Sequence, residues 1–196
     1  MDELLLVAQR PVDRTYSLHL TRAGSAELPI GQLHVRGSER FALELENERG
    51  RRLVAGFDGQ RAWIVPPMRP LPVLVARDPE RLHEWLEGNA VEMPFLSLTR
   101  ALERLKRYEL ELSEEGEHLR LRGTPPAERW SLRRPRVELR ADRASQRIEE
   151  VRLSWPTPEG DDRVLRIAYE SEQPRDDSLY AHRTHHGPAR RVVLRN

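Results

Sequence analysis

The chain has no cysteine among its 196 residues and very little lysine. Without cysteine, a disulfide scaffold, a thiolate metal site and a cysteine nucleophile are excluded. Lys106 is the single lysine among 33 basic residues, and 32 acidic residues are interleaved with the arginines to leave a net charge of +1. Because no strong basic field builds up, the charge pattern argues against nucleic acid as a partner.

Long apolar runs and catalytic signatures are also missing. No run approaches the roughly 20 residues of a transmembrane helix, and the apolar stretch from Leu4 to Ala8 is too short, with acids in front of it, for a signal peptide. The sequence contains neither a Gly-x-Ser-x-Gly elbow nor a Gly-rich phosphate loop. We therefore predict no catalytic residues and no cofactor, and an enzyme is the weakest functional class.

What the sequence has instead is an alternation of apolar and polar residues. Tyr16 to Leu20, Leu33 to Val35 and Phe41 to Leu45 each place their apolar residues on one face of a strand, and the pattern recurs in segments between 108 and 169. Such alternation is typical of an antiparallel sheet with one face on the core and one in water. We expect about nine to eleven strands on this pattern, and a sheet of that width must curl or close.

Two loop signals lie in the first half of the chain. Asp58-Gly59 separates two apolar runs, which predicts a hairpin because the turn needs a positive φ. The stretch from Pro66 to Pro72 is the most proline-dense and predicts an extended connector, because proline cannot pair in a central strand.

Helical periodicity is confined to three segments. Residues 2–9 predict a short helix, and a second one begins at Asp78-Pro79, where Asp serves as the cap and Pro occupies the first turn, and ends at Gly88-Asn89. The third runs from about Pro94 to Lys106. Because the last two stand between blocks of strands, the simplest arrangement lays them across the apolar face of the curled sheet.

That apolar face is the candidate ligand site. One interpretation of this face is a filled core. The other is a partly empty cavity beneath the helices, because a half-barrel is hard to fill from one helix layer. The sequence leaves both open. The candidate cavity residues are Tyr16, Leu18, Leu20, Leu33, Val35, Phe41, Leu43, Trp63, Val65, Trp85, Leu86, Phe95, Leu98 and Leu102.

Three histidines near the C-terminus raise the question of a metal site. His182, His185 and His186 lie close in sequence, but a metal needs further ligands with convergent geometry, and no helical His-Glu-x-x-His pattern is present. From His182 onward the periodicity ends. We predict no metal site and a loosely ordered, Arg- and His-rich tail over residues 184–196, behind one domain spanning 1–183.

The order of these segments resembles the outer-membrane lipoprotein carrier (LolA-like) superfamily. The segments that carry the resemblance are Gly31 to Arg36 leading to Arg40 to Leu43, then Asp58 to Trp63 followed by Pro66-Pro67, then Met93 to Leu96. It extends over roughly residues 3–183. Each motif is weak alone, and the weight lies in their order and spacing.

The resemblance implies an unclosed antiparallel β-barrel with a helical lid over an apolar cavity. It implies a non-enzymatic module of the bacterial periplasm that binds a hydrophobic ligand, a lipid or a lipoprotein acyl chain, with Trp63 and Phe41 on strands lining the cavity. The family also includes envelope sensor domains, so a sensor or interaction domain of a membrane-anchored regulator, with an envelope protein as partner, is the alternative.

One departure from the family pattern bears on that alternative. The carriers have an Arg before a Pro in the turn between the second and third strands, and this Arg latches the lid. Here Gly37 and Ser38 occupy those positions, and Arg36 comes one step earlier. Since neighbouring strand residues face opposite ways, Arg36 is not equivalent to the latch, which puts energy-coupled lipoprotein transfer in doubt.

Overall fold

The computed structural model describes residues 12–22, 24–37, 40–47, 49–77, 108–125, 135–145, 147–155 and 162–195. They form twelve strands in one sheet, with two short 3₁₀ helices, η1 (Asp177–Tyr180) and η2 (His182–His185), between the last two strands. All three predicted helical segments fall outside these ranges. The strands are β1 (Asp13–Thr21), β2 (Leu28–Arg36), β3 (Arg40–Glu46), β4 (Arg52–Phe57), β5 (Ala62–Val65), β6 (Val73–Ala76), β7 (Glu109–Glu115), β8 (His118–Thr124), β9 (Arg136–Asp142), β10 (Ile148–Trp155), β11 (Arg163–Glu172) and β12 (Val192–Arg195).

The sheet is open. Its order is β12-β6-β5-β4-β3-β2-β1-β11-β10-β9-β8-β7, and every pairing is antiparallel except that of β12 with β6. The two outermost strands, β12 and β7, do not pair with each other, so the predicted unclosed, mostly β architecture is confirmed. No helix in the described ranges is long and apolar enough to span a membrane.

The β4–β5 hairpin forms where Asp58-Gly59 predicts it. Gly59 has a φ of 95°, a backbone conformation that glycine adopts without steric strain. The Asp58 carboxylate accepts the backbone N–H groups of Gln60 and Arg61 at 2.9 and 2.7 Å, which closes the turn. The predicted proline-rich connector lies between β5 and β6.

Cross-strand registers decide which side chains share a face. Successive partners across β1 to β5 are Tyr16, Leu33, Leu43, Ala55 and Ile64. We call the face that carries them the inner face, and the opposite one the outer face. Their buried cluster continues through β11, β10 and β9 to Leu121 on β8, so the main core follows the sheet across most of its width.

The C-terminal segment, residues 173–195, differs from the expectation. The prediction of a loosely ordered tail is wrong for the described residues, because η1 (Asp177–Tyr180), η2 (His182–His185) and β12 are all formed. β12 pairs in parallel with β6, and the Arg190 guanidinium donates to the carbonyls of Pro66, Met68 and Leu71. Single-turn helices and a four-residue strand carry too little periodicity to be found from sequence.

Candidate ligand-binding groove

The inner face is closed by packing over most of its width. Six of the candidate cavity residues meet there in one cluster, and each is at most 4% exposed. At these positions the structure agrees with the filled-core interpretation, and their contact with a ligand stays a prediction. The six are Tyr16, Leu18, Leu33, Val35, Phe41 and Leu43.

The packing opens where β1 ends and β2 begins. A groove of about 1210 Å³ lies at this end of the sheet. Leu20, which is half-buried, is the one candidate cavity residue of the described part of the chain that lines the groove, and Ile30, Leu45, Leu53, Trp155 and Leu165 belong to the same apolar wall. Leu45, Leu53, Trp155 and Leu165 stand at the ends of predicted strand segments, and Ile30 lies just before one, so the signal for most of them was present in the sequence.

The groove brings distant strands together. Pro67, in the connection after β5, and Trp155, at the end of β10, both line it although five strands lie between β5 and β10 in the sheet. A flat sheet would hold these residues far apart, because neighbouring strands are about 4.8 Å from each other. The sheet is therefore curved around this space.

The rim of the groove is rich in arginine. Arg49 and Arg51 come from the β3–β4 turn, where the side-chain carbonyl of Asn47 accepts the backbone N–H groups of both at 3.0 Å. Arg163 opens β11 directly opposite Trp155. The remaining charged residues in the lining, apart from His19, are Arg22, Glu46 and Glu170.

Trp155 combines burial with an unmet hydrogen-bond donor. The residue is 9% exposed, and its Nε1–H has no acceptor within the described part of the chain. A buried donor without a partner costs about 1–3 kcal/mol. This end of the sheet therefore holds a polar group that the described residues do not satisfy.

Trp63 and Val65 lie on the other side of the sheet. The prediction that they share a face with Phe41 and Leu43 is wrong: Leu43 aligns with Ala55 and Ala55 with Ile64, so Ile64 is the β5 residue on the inner face. The apolar run of β5 is continuous, so the alternation of apolar and polar residues does not indicate which of its side chains point to the inner face. Trp63 and Val65 belong to a second buried cluster with Val54, Val73 and Val75.

Trp63 is held beneath the C-terminal segment. Its Nε1–H donates to the Tyr180 carbonyl at 2.9 Å, and its ring stacks on His185 with centroids 5.1 Å apart. A Cβ at Gly56, the cross-strand partner of Trp63, would overlap the indole ring, so glycine makes room for it. The indole N–H of Trp63 is therefore satisfied within the fold.

A buried carboxylate fixes the C-terminal segment on the outer face. Asp13, 7% exposed, accepts the Tyr180 hydroxyl at 2.6 Å, the Arg175 backbone N–H at 2.8 Å and two guanidinium N–H groups of Arg36 at 2.7 and 2.9 Å. Burial alone would raise the pKa of Asp13, but the hydrogen bonds outweigh it and hold the pKa below its ordinary value. Arg36 also pairs with Asp177, and so fastens η1 to the sheet.

A row of polar side chains occupies the outer face near the centre of the sheet. His34 is 6% exposed, and its Nδ1 lies 3.0 Å from the Thr15 hydroxyl. Burial lowers the pKa of His34, so the neutral ring is the favoured form at pH 7. The Arg175 guanidinium also donates to the Thr15 hydroxyl, which links this row to the C-terminal segment.

Two residues of the lining, Ser17 and His19, form with nearby Glu27 a trio that has the composition of a hydrolase triad but not its geometry. His19 Nε2 lies 3.0 Å from the Ser17 hydroxyl, while His19 Nδ1 is 3.7 Å from the Glu27 carboxylate, beyond a hydrogen bond. Both Glu27 oxygens are engaged by the Arg166 guanidinium, at 2.7 and 2.8 Å. The histidine therefore lacks the oriented partner that a general base in such a triad needs.

The C-terminal histidines bond to each other and to the backbone. His186 Nδ1 donates to the Gly187 carbonyl at 3.0 Å, which leaves its Nε2 to accept the Nδ1–H of His182, also at 3.0 Å. His185 Nε2 donates to the Leu179 carbonyl at 2.8 Å. Within the described residues no group of three His, Cys, Asp or Glu side chains is arranged for a metal ion.

The remaining candidate residues lie outside the described ranges. They are the five from the second and third predicted helices: Trp85, Leu86, Phe95, Leu98 and Leu102. Their place relative to the groove, and with it the helical lid, stays a prediction.

No protein-family model matches the chain, and no curated protein matches it. Among solved structures, the chain is similar to a LolA superfamily protein from Nitrosomonas europaea, at 12% identity, with 92% of this chain and 96% of that one covered and a TM-score of 0.41.

Structures of MucB are also similar. One is MucB in complex with MucA(peri), at 18% identity and a TM-score of 0.37, covering 97% of this chain and 60% of that one. Another is the MucA/MucB complex of Pseudomonas aeruginosa, at 18% identity and a TM-score of 0.38, covering 91% of this chain and 59% of that one. The chain spans about three fifths of the length of these MucB chains.

Proposed function

We propose that this protein is a non-enzymatic module of the bacterial periplasm that binds a hydrophobic ligand, a lipid or the acyl chain of a lipoprotein, in the groove at the end of the inner face. The observation that carries the proposal is the groove itself, about 1210 Å³ with an apolar wall that includes Leu20, Ile30 and Trp155. Binding sites for small molecules have volumes of roughly 300–1,000 Å³, so the space is sufficient for a chain-like ligand.

The driving force is the burial of methylene groups. Each one removed from water contributes about 0.8 kcal/mol, so an acyl chain gains several kcal/mol along the wall. Ordering the chain and displacing water offset part of this gain. Leu28 and Ile30 on β2 lie at the open side, where the first is 43% exposed, so the wall is accessible without unfolding the core.

The test uses N-phenyl-1-naphthylamine, a neutral fluorescent probe of apolar sites. We expect saturable binding by the wild type, and at least a tenfold weaker affinity for Leu20→Arg, because a charge then lies in the wall. Leu110→Arg is the matched control, since Leu110 is a strand leucine, 36% exposed, on β7 outside the groove. Absence of saturable binding by the folded wild type, or equal loss in both variants, would overturn the proposal.

A second candidate function is an envelope sensor or interaction domain with a protein partner. It is favoured by the apolar side chains on the two outermost strands, where Leu112 on β7 is 56% exposed and Leu194 on β12 is 69% exposed. Unpaired outer strands are templates for pairing with another chain. A gene for a sigma factor and its inhibitor beside this one supports the sensor, whereas a lipoprotein-export cluster supports the carrier.

A further inference from the structure

The charges around the groove are not balanced. Its lining contains four arginines and two glutamates, whereas the whole chain is almost neutral. The arginines stand on both sides, with Arg49 and Arg51 in the β3–β4 turn and Arg163 at the start of β11. An apolar wall with a basic rim has the charge distribution that complements an amphiphile with a negative head.

Three of these arginines have side chains without a partner among the described residues. Most arginines on the sheet are paired: Arg14 with Glu172, Arg152 with Glu150, and Arg166 with Glu27. By contrast, the guanidinium groups of Arg49, Arg51 and Arg163 have no ion pair or hydrogen bond within the described ranges. The Asn47 side chain fixes the backbone that carries Arg49 and Arg51, so part of the ordering cost is met before binding.

Trp155 supplies an independent observation. Its buried indole N–H has no acceptor among the residues that the structure describes, and its cross-strand partner is Arg163. Buried donors are almost always satisfied, so a donor that the described residues leave without an acceptor is a candidate contact for a ligand. The groove therefore combines an unmet neutral donor with unpaired cationic donors beside one apolar wall.

We infer that the natural ligand is an anionic amphiphile, an acyl chain whose carboxylate or phosphate head is bound by Arg49, Arg51 and Arg163 while the chain lies on the apolar wall. The inference rests on the proposed function and specifies its ligand class. Guanidinium groups match oxyanions with paired hydrogen bonds, which a hydroxyl or ammonium head cannot accept in the same way.

The experiment compares four ligands that share a twelve-carbon chain. Dodecanoate, dodecyl phosphate, dodecanol and dodecyltrimethylammonium compete with N-phenyl-1-naphthylamine at pH 8, each below its solubility or micelle limit. We expect both anions to bind at least tenfold more tightly than dodecanol, and the cation to bind more weakly than dodecanol. The ratio of dodecanoate to dodecyl phosphate distinguishes a fatty acid from a phosphate-bearing lipid as the source of the head.

Substitutions of the three rim arginines test whether these side chains cause the preference for anionic ligands. In the full chain, the double variant Arg49→Gln with Arg51→Gln, and separately Arg163→Gln, should each lower affinity for the anions at least fivefold and leave that for dodecanol within twofold. Arg195→Gln on β12, outside the groove, is the matched control and should change neither. Equal binding of dodecanol and the anions, or an anion preference that survives in both rim variants, would overturn the inference while the groove remains a binding site. Failure of all four ligands and the probe would overturn the proposed function as well.

Discussion

Two tryptophans at different ends of this sheet have opposite surroundings. Trp63 is fully buried on the outer face, its N–H bonded to the Tyr180 carbonyl and its ring stacked on His185. Trp155 lies at the end of β10 beside the groove, and its N–H has no partner among the described residues. The indole N–H is thus satisfied by the fold at Trp63 and lacks a partner among the described residues at Trp155. We therefore expect stability to depend mainly on the region around Trp63 and ligand binding on the region around Trp155.

The largest expected effect is on the closed region. We expect Trp63→Ala to lower the free energy of unfolding by about 3–5 kcal/mol, because it empties a fully buried site and leaves the Tyr180 carbonyl without its donor. Urea denaturation measures this. Leu194→Ala, at a side chain 69% exposed, is the control and should stay within about 0.5 kcal/mol of the wild type. Equal effects in the two variants would contradict the account of the Trp63 region.

The Asp13 carboxylate gives the next effect, and it depends on pH. Its pKa in the folded state is lowered, so its contribution to stability is complete above the unfolded value of about 3.8 and disappears as the pH falls through the folded pKa. We expect Asp13→Asn to cost about 1.5–3 kcal/mol at pH 7, the range for hydrogen bonds to a charged group. Because the variant lacks this titration, its stability should fall less steeply below pH 4. Parallel curves for the two proteins would show that Asp13 does not carry the acid sensitivity.

A conservative pair of substitutions compares the tryptophans directly. Trp63→Phe removes a donor that has a partner, whereas Trp155→Phe removes one that has none. We expect the first to be more destabilising than the second by about 1 kcal/mol, measured by urea denaturation of both variants. A larger loss for Trp155→Phe would mean that its indole N–H is satisfied after all.

The smallest effect on stability is expected at the rim. Arg49→Gln combined with Arg51→Gln should change the free energy of unfolding by less than about 0.5 kcal/mol, because neither guanidinium has a partner in the described ranges. The same variant should lose its preference for anionic ligands, so these arginines should affect ligand binding without affecting the free energy of unfolding. Thermal denaturation of the ligand-free proteins provides the measurement, and a clear loss of stability would assign these arginines to the fold.

The sequence predicted the inner face well and the outer face poorly. Alternation located Tyr16, Leu33 and Leu43 on one buried face because one side of each strand is polar. It misplaced Trp63, because β5 is buried on both faces and its continuous apolar run does not indicate which residues point to the inner face. It also missed the C-terminal segment, whose contacts to Asp13 and Trp63 join residues more than 100 positions apart. Such long-range contacts leave no local pattern.

The groove was predicted only in part for a related reason. Leu20 was on the candidate list, but Leu45 and Trp155 extend the alternations of their strands to the point where the packing ends. Periodicity indicates which side of a strand is apolar and does not indicate where along it the core stops. Locating the opening required the curvature of the sheet, which brings Pro67 and Trp155 to one space.

The measurement that tests the comparison most directly is the nuclear magnetic resonance signal of the indole N–H groups during titration with dodecanoate. The chain has four tryptophans, and Trp63→Phe and Trp155→Phe assign the two signals that matter. The account predicts that the Trp155 signal shifts in a saturable manner, while the Trp63 signal keeps its position and its slow hydrogen exchange. A shift confined to Trp63, or saturable binding that leaves Trp155 unchanged, would contradict it.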